Sequence, residues 1–173
     1  YPPRPVKGCM VAGGPDAVEG EVRSNAIAYT WPADLQAELH RRFDYKVHPE
    51  PMISSRNAPA ATLAGIHTLT RARFAAARHL AAKFQTPFIH VTCFYSQALQ
   101  HFYYNGPPVR EAWRIVDEEI GRFADEGYDI IMMSDHGVAR VHTNFYLNEW
   151  LAANGYLAYK RGMDGLFMRL GLT

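Results

Sequence analysis

Ser134-Asp135-His136-Gly137 sets a carboxylate and an imidazole side by side, directly after the apolar run 128–133. An acidic oxygen and a ring nitrogen in adjacent positions are natural ligands for a divalent metal. Gly137 would let the backbone turn sharply, so that both side chains enter one crevice. A second polar group, Ser96-Gln97-Ala-Leu-Gln100-His101, follows another apolar run, 88–95. Gln97 and His101 are four apart, so one helical turn would put them on one face. If the two runs are neighbouring strands, His101, Asp135 and His136 converge at their carboxyl ends, where open parallel sheets bind ligands. Plainer readings stand beside each of these. An Asp after a strand commonly caps the next turn, and His101 among Phe102, Tyr103 and Tyr104 could simply pack. His142, six residues after His136, either supports the ligands from behind or sits on the surface.

The elements that must position these residues alternate between strand and helix. Strands are expected at 6–12, 88–95 and 128–133, with a brief one at 45–48. Helices are expected at 31–43, with Pro32 in its first turn, and at 60–85, the longest helical pattern. A further amphipathic helix is expected at 109–126, with Trp113, Val116, Ile120 and Phe123 on one face and Gly127 as its stop. The last, at about 145–153, ends at Asn154-Gly155. Loops fill 13–21 and 49–59, and 161–173 has weak periodicity. This order predicts an α/β fold: a mostly parallel sheet with helices on both faces. Such a sheet needs more strands than the sequence supplies, so the chain is expected to be one partial α/β domain spanning 1–173.

Bulk composition narrows the partners. With 173 residues, 48% of them hydrophobic and 20% charged, the chain can bury a core as a soluble globular protein. A net charge of +1 gives no electrostatic footprint for a nucleic-acid polymer. A small phosphate ester remains compatible, because a metal would supply the positive charge. No run is long enough to span a membrane, and no signal core opens the chain. Cys9 and Cys93 fit no zinc or redox spacing, which favours a reducing, cytoplasmic compartment.

Longer segments around the motif carry a family resemblance. The stretch Tyr128-Asp-Ile-Ile-Met-Met-Ser-Asp-His-Gly137, followed by Asn144-Phe-Tyr-Leu-Asn-Glu-Trp-Leu-Ala-Ala-Asn-Gly-Tyr-Leu157, resembles the alkaline-phosphatase superfamily. It is most similar to the type I phosphodiesterase/nucleotide pyrophosphatase branch. Gln100-His-Phe-Tyr-Tyr104 and Val109-Arg-Glu-Ala-Trp-Arg-Ile-Val-Asp117 resemble that branch's second ligand segment and the helix behind it. The segments 1–11 and 29–35 are similar as well, so the likeness covers most of the chain and is strongest over 88–160.

The resemblance implies an alkaline-phosphatase-like fold and a hydrolase of phosphodiester or pyrophosphate bonds. It implies two divalent metal ions, commonly zinc, and a metal-bound Thr or Ser that forms a covalent intermediate. By resemblance, Asp135 and His136 bind one metal and His101 the other. Three departures accompany the match. Gln97 stands where the family has an Asp ligand, which leaves it at most a degenerate ligand, poorer for zinc than a carboxylate. The family's nucleophile and first ligand Asp fall before Tyr1, and its last His ligand falls after Thr173. The expected piece is therefore internal, and inactive alone. The alternative is a non-catalytic member that keeps the fold for binding or interaction, which the loss of a ligand at Gln97 favours.

Overall fold

The computed structural model describes residues 3–12, 28–49 and 53–159. The expected loop 13–21, part of the loop 49–59 and the tail 161–173 lie outside the described residues. The chain divides into two compact units, Tyr1–Val138 and Ala139–Thr173.

Helices dominate the first unit. Strands β1 (Met10–Val11) and β2 (Thr30–Trp31) pair antiparallel, with Met10 opposite Trp31 and Val11 opposite Thr30. Helix α1 (Leu35–Phe43) follows, then α2 (Ala60–Phe84), α3 (Phe94–Tyr103) and α4 (Pro107–Asp125). The second unit carries α5 (Leu147–Ala153). Among the described residues the only sheet is this antiparallel pair, not the parallel sheet expected from the sequence.

The long helices form where the sequence periodicity placed them. In α2, Thr62, Ile66, Leu69, Phe74, Ala76 and Leu80 recur at intervals near 3.6 residues and are buried. The helix stops where Gln85 turns left-handed at φ 46°, and the Thr86 N–H donates back to the Ala81 carbonyl at 3.2 Å. Helix α4 starts with Pro107, whose missing N–H costs nothing in a first turn. It ends at Gly127, whose φ of 90° lets the Tyr128 N–H donate to the Phe123 carbonyl at 3.0 Å. The buried stripe of α4 is Val109, Ala112, Ile115, Val116, Glu119 and Phe123. Trp113, read from sequence as part of that face, is exposed. Helix α1 begins at Leu35 rather than at position 31. Trp31 is held in β2, and its indole N–H donates to the Val6 carbonyl at 3.3 Å, so Pro32 precedes the helix.

Three apolar clusters hold these helices together. Leu35, Leu39, Tyr29 and Tyr45 meet Ala76 and Leu80 of α2. Ile66 and Leu69 of α2 meet Tyr95 and Leu99 of α3 and Val109 and Ala112 of α4. Phe74, Val116 and Phe123 form the third. Burying one such Leu or Phe contributes roughly 1.5–3 kcal/mol, so α3 is fixed mainly through Tyr95 and Leu99.

The expected strands are the main correction. Of 6–12 only Met10–Val11 is strand, and 45–48 is irregular. Residues 88–93 form neither strand nor helix, and 94–95 already belong to α3. Alternate side chains Ile89, Val91 and Cys93 nevertheless pack on the third cluster, the two-residue period of a strand without its ladder. Residues 129–133 are also unpaired, and they are open to solvent: Ile131 and Met133 are each 86% exposed. β-prone side chains cannot make a strand alone, because the ladder hydrogen bonds need a second backbone.

Candidate functional site

Two elements of the first unit carry the chemistry. Helix α3 presents Gln97 and His101 one turn apart, with Gln97 half-buried and His101 exposed. The irregular segment after α4 carries Ser134, Asp135 and His136, and it bends at Asp135. The Ser134 hydroxyl donates to the His136 carbonyl at 2.5 Å, tying this bend locally. Gly137 is not what turns the chain. Its φ is not left-handed, and a Cβ there would meet open space.

The bend brings His136 against α3. The Gln97 side-chain amide nitrogen lies 3.3 Å from His136 Nε2, and Asp135 Oδ2 lies 3.7 Å from the same nitrogen. His136 Nδ1 lies 3.0 Å from the Gly137 carbonyl oxygen. The Asp135 side chain is 89% exposed and that of His136 53%, so both remain open to a solute. Gln97, Asp135 and His136 are thus gathered, although 39 residues separate Gln97 from His136. His101 does not join them in a three-donor group. His142 is exposed in the second unit.

The donors fit a divalent cation in kind. Asp135 offers a carboxylate oxygen and His136 an imidazole nitrogen, the pairing that borderline metals accept. In number they fall short. Among the described residues no group of three or more His, Cys, Asp or Glu could hold a metal ion, whereas a closed zinc site takes four ligands.

A second polar cluster escaped the sequence reading. His48 Nδ1 is hydrogen-bonded to the Tyr95 hydroxyl, and the Arg73 guanidinium lies 5.4 Å from the Tyr95 ring centroid. Arg73 also donates to the Val47 carbonyl at 2.6 Å. Burial pushes the Tyr95 phenol up to about 12, with Arg73 acting the other way. Burial, and then Arg73, hold the His48 imidazole below its ordinary value. Beside this cluster a small cavity is lined by Arg73, Phe74, Cys93, Tyr95 and Val116; it includes neither Gln97 nor His136. Cys93 is a free, partly buried thiol whose pKa burial raises. No sequence signal links His48 to Tyr95, because the pair forms across 47 positions through tertiary packing alone. A third group is nearer the surface. Glu38 accepts from Lys83 and lies 2.5 Å from His79 Nε2, contacts that lower its carboxyl to about 2.

Comparison with known proteins supplies the wider setting. A family model described as type I phosphodiesterase / nucleotide pyrophosphatase matches residues 18–172. No curated protein and no solved structure matched the chain. The matched region contains Gln97, His101, Asp135 and His136 together with every helix described above. The chain belongs to the type I phosphodiesterase/nucleotide pyrophosphatase family.

Proposed function

We propose that this chain is the part of a phosphodiester- or pyrophosphate-hydrolysing enzyme that carries Asp135 and His136 as donors to one divalent metal and His101 as a donor to another. The reaction type is that of the family, which is generally metal-dependent. The observation that carries the reading is the open Asp135–His136 pair, with the carboxylate 3.7 Å from Nε2. Two zinc ions are the metals this reading expects, and a cation of that charge polarises a phosphoryl oxygen and offsets charge developing on it. The chain's own residues would supply the donor atoms: a carboxylate oxygen of Asp135 and an imidazole nitrogen of His136. The bend closed by Ser134 holds the two beside each other.

The nucleophile, a Thr or Ser forming a covalent intermediate, is assigned to sequence preceding Tyr1, and a further His ligand to sequence following Thr173. The 1–173 segment then belongs to one α/β domain with a mostly parallel sheet. The exposed apolar run Ile130, Ile131, Met132 and Met133 supports that reading, since such side chains suit a strand buried on both faces. The substrate is a small phosphate ester. Among the described residues no helix is long and apolar enough to cross a membrane. The cytoplasm is the compartment proposed.

A second reading has its own support. Gln97, a neutral amide beside His136, and a donor count below three among the described residues suit a non-catalytic member that uses this face for binding. Turnover of a p-nitrophenyl phosphodiester separates the two. The protein extended in both directions should hydrolyse it and lose activity with a chelator, while the 173-residue chain should show almost none. An inactive, zinc-saturated extended protein would establish the second reading instead.

A further inference from the structure

We propose that the cavity beside Arg73, where α2 meets the start of α3, binds a monatomic anion, chloride, as the counter-ion of the guanidinium. The neighbouring arginines of α2, Arg71 and Arg78, face Glu118 and Glu119 of α4. Arg73 has no carboxylate partner among the described residues. It donates to the Val47 carbonyl at 2.6 Å and lies over the Tyr95 ring, 5.4 Å from its centroid. Both of those partners are neutral. The Arg73 Nε is buried and has no hydrogen-bond partner among the described residues, so one N–H of a fixed cation still wants an acceptor.

The surroundings do not answer the charge. Burial raises the pKa of Tyr45, Cys93 and Tyr95 and lowers that of His48, with the Arg73 charge acting downward on all four. All four are neutral at about pH 7. A half-buried cation among uncharged groups is costly without a counter-ion. The cavity has a volume of about 10 Å³, room for one water-sized guest. Phosphate, sulfate and carboxylate are too large, which separates this site from that of a phosphate ester. Its apolar walls, Phe74, Val91 and Val116, strengthen the attraction between guanidinium and anion. Phe94, Tyr95 and Ser96 line it too, and as the opening residues of α3 they have backbone N–H groups without partners inside the helix. A bound anion would brace α2 against the helix that carries Gln97 and His101.

The test is urea unfolding of the 173-residue chain in sodium chloride against sodium gluconate at equal ionic strength, with Arg73→Met and Arg110→Met as variants. Methionine keeps the apolar stem of Arg73 and removes its charge. Arg110, exposed and donating to the Asn105 carbonyl, reports any general effect of salt. Chloride should raise the wild-type folded-to-unfolded ratio by one plus the ratio of its concentration to Kd, roughly tenfold at about nine times Kd. The same rise should appear in Arg110→Met and vanish in Arg73→Met. The wild-type His48 ring, followed by proton NMR, should titrate at higher pH in chloride than in gluconate, because an anion beside Arg73 offsets its repulsion. A wild type indifferent to chloride would leave the cavity to water and overturn the proposal. A chloride response that persists in Arg73→Met, or disappears in Arg110→Met as well, would overturn it too. If Arg73→Met does not fold, the His48 titration decides: an unchanged midpoint refutes the site, and an upward shift in chloride supports it.

Discussion

Replacing Glu119 with Gln should destabilise the chain by about 2 kcal/mol, while the same change at neighbouring Glu118 should cost less than about 0.5 kcal/mol. Glu119 lies on the buried stripe of α4, with its side chain 4% exposed. Its carboxylate accepts from Arg78 of α2, and Arg71 and Arg122 stand at 4.0 and 3.9 Å. Glutamine keeps the shape and one acceptor but removes the charge that Arg78 faces. Hydrogen bonds to charged groups contribute roughly 1.5–3 kcal/mol, and truncating one partner of a fully buried ion pair costs roughly 3–5 kcal/mol. Arg78 keeps some exposure and retains Glu126 at 3.7 Å, which places the cost near the lower range. Glu118 instead pairs with Arg71 and Arg114 at the surface, where water and salt screen the attraction. Urea unfolding at unchanged m would measure both variants, and the Glu119 effect should persist in high salt. Equal costs at the two positions, or a Glu119→Gln cost within about 0.5 kcal/mol of zero, would refute the claim that this ion pair locks α2 to α4.

Two other outcomes follow from the same packing. Leu99→Ala should cost about 2–5 kcal/mol in urea unfolding, because Leu99 is fully buried between α3 and its neighbours and the cavity cannot collapse freely. The His48–Tyr95 pair should confine stability from both sides of the pH scale. His48 has a folded pKa below its unfolded one, so its contribution is present above the ordinary imidazole value and falls away on acidification. Tyr95 has a folded pKa near 12, above its unfolded value, so its contribution is complete below the ordinary phenol range and is lost as pH rises towards 12. Burial also raises Tyr29 and Tyr45, so ultraviolet titration should show several late tyrosines, one of which Tyr95→Phe removes, and His48→Phe should flatten the acid limb of the stability curve.

What could be read from the sequence was what local chemistry dictates. Helices α2 and α4 were legible because a 3.6-residue period and stop signals such as Gly127 act within one element. The Asn154-Gly155 stop of α5 held for the same reason: Gly155 has φ 76°, and the Tyr156 N–H reaches the Leu151 carbonyl at 2.9 Å. The runs 88–95 and 128–133 have strand composition, but a strand is a property of two backbones, and the described residues offer these runs no partner. The register of α4 was misjudged at Trp113, since a large apolar side chain says nothing about which way its helix turns. At the site, residue types pointed to Asp135 and His136. The approach of Gln97 to His136, and of His48 to Tyr95, depends on how α3 docks and left no local mark.

Zinc titration of the 173-residue chain, compared with its Asp135→Ala, His136→Ala and His142→Ala variants, tests the central claim most directly. Weak binding in the wild type that disappears in the first two variants and survives in His142→Ala is the expected result. Wild-type binding that is unchanged by removing Asp135 and His136 together would contradict the assignment of this pair as metal donors.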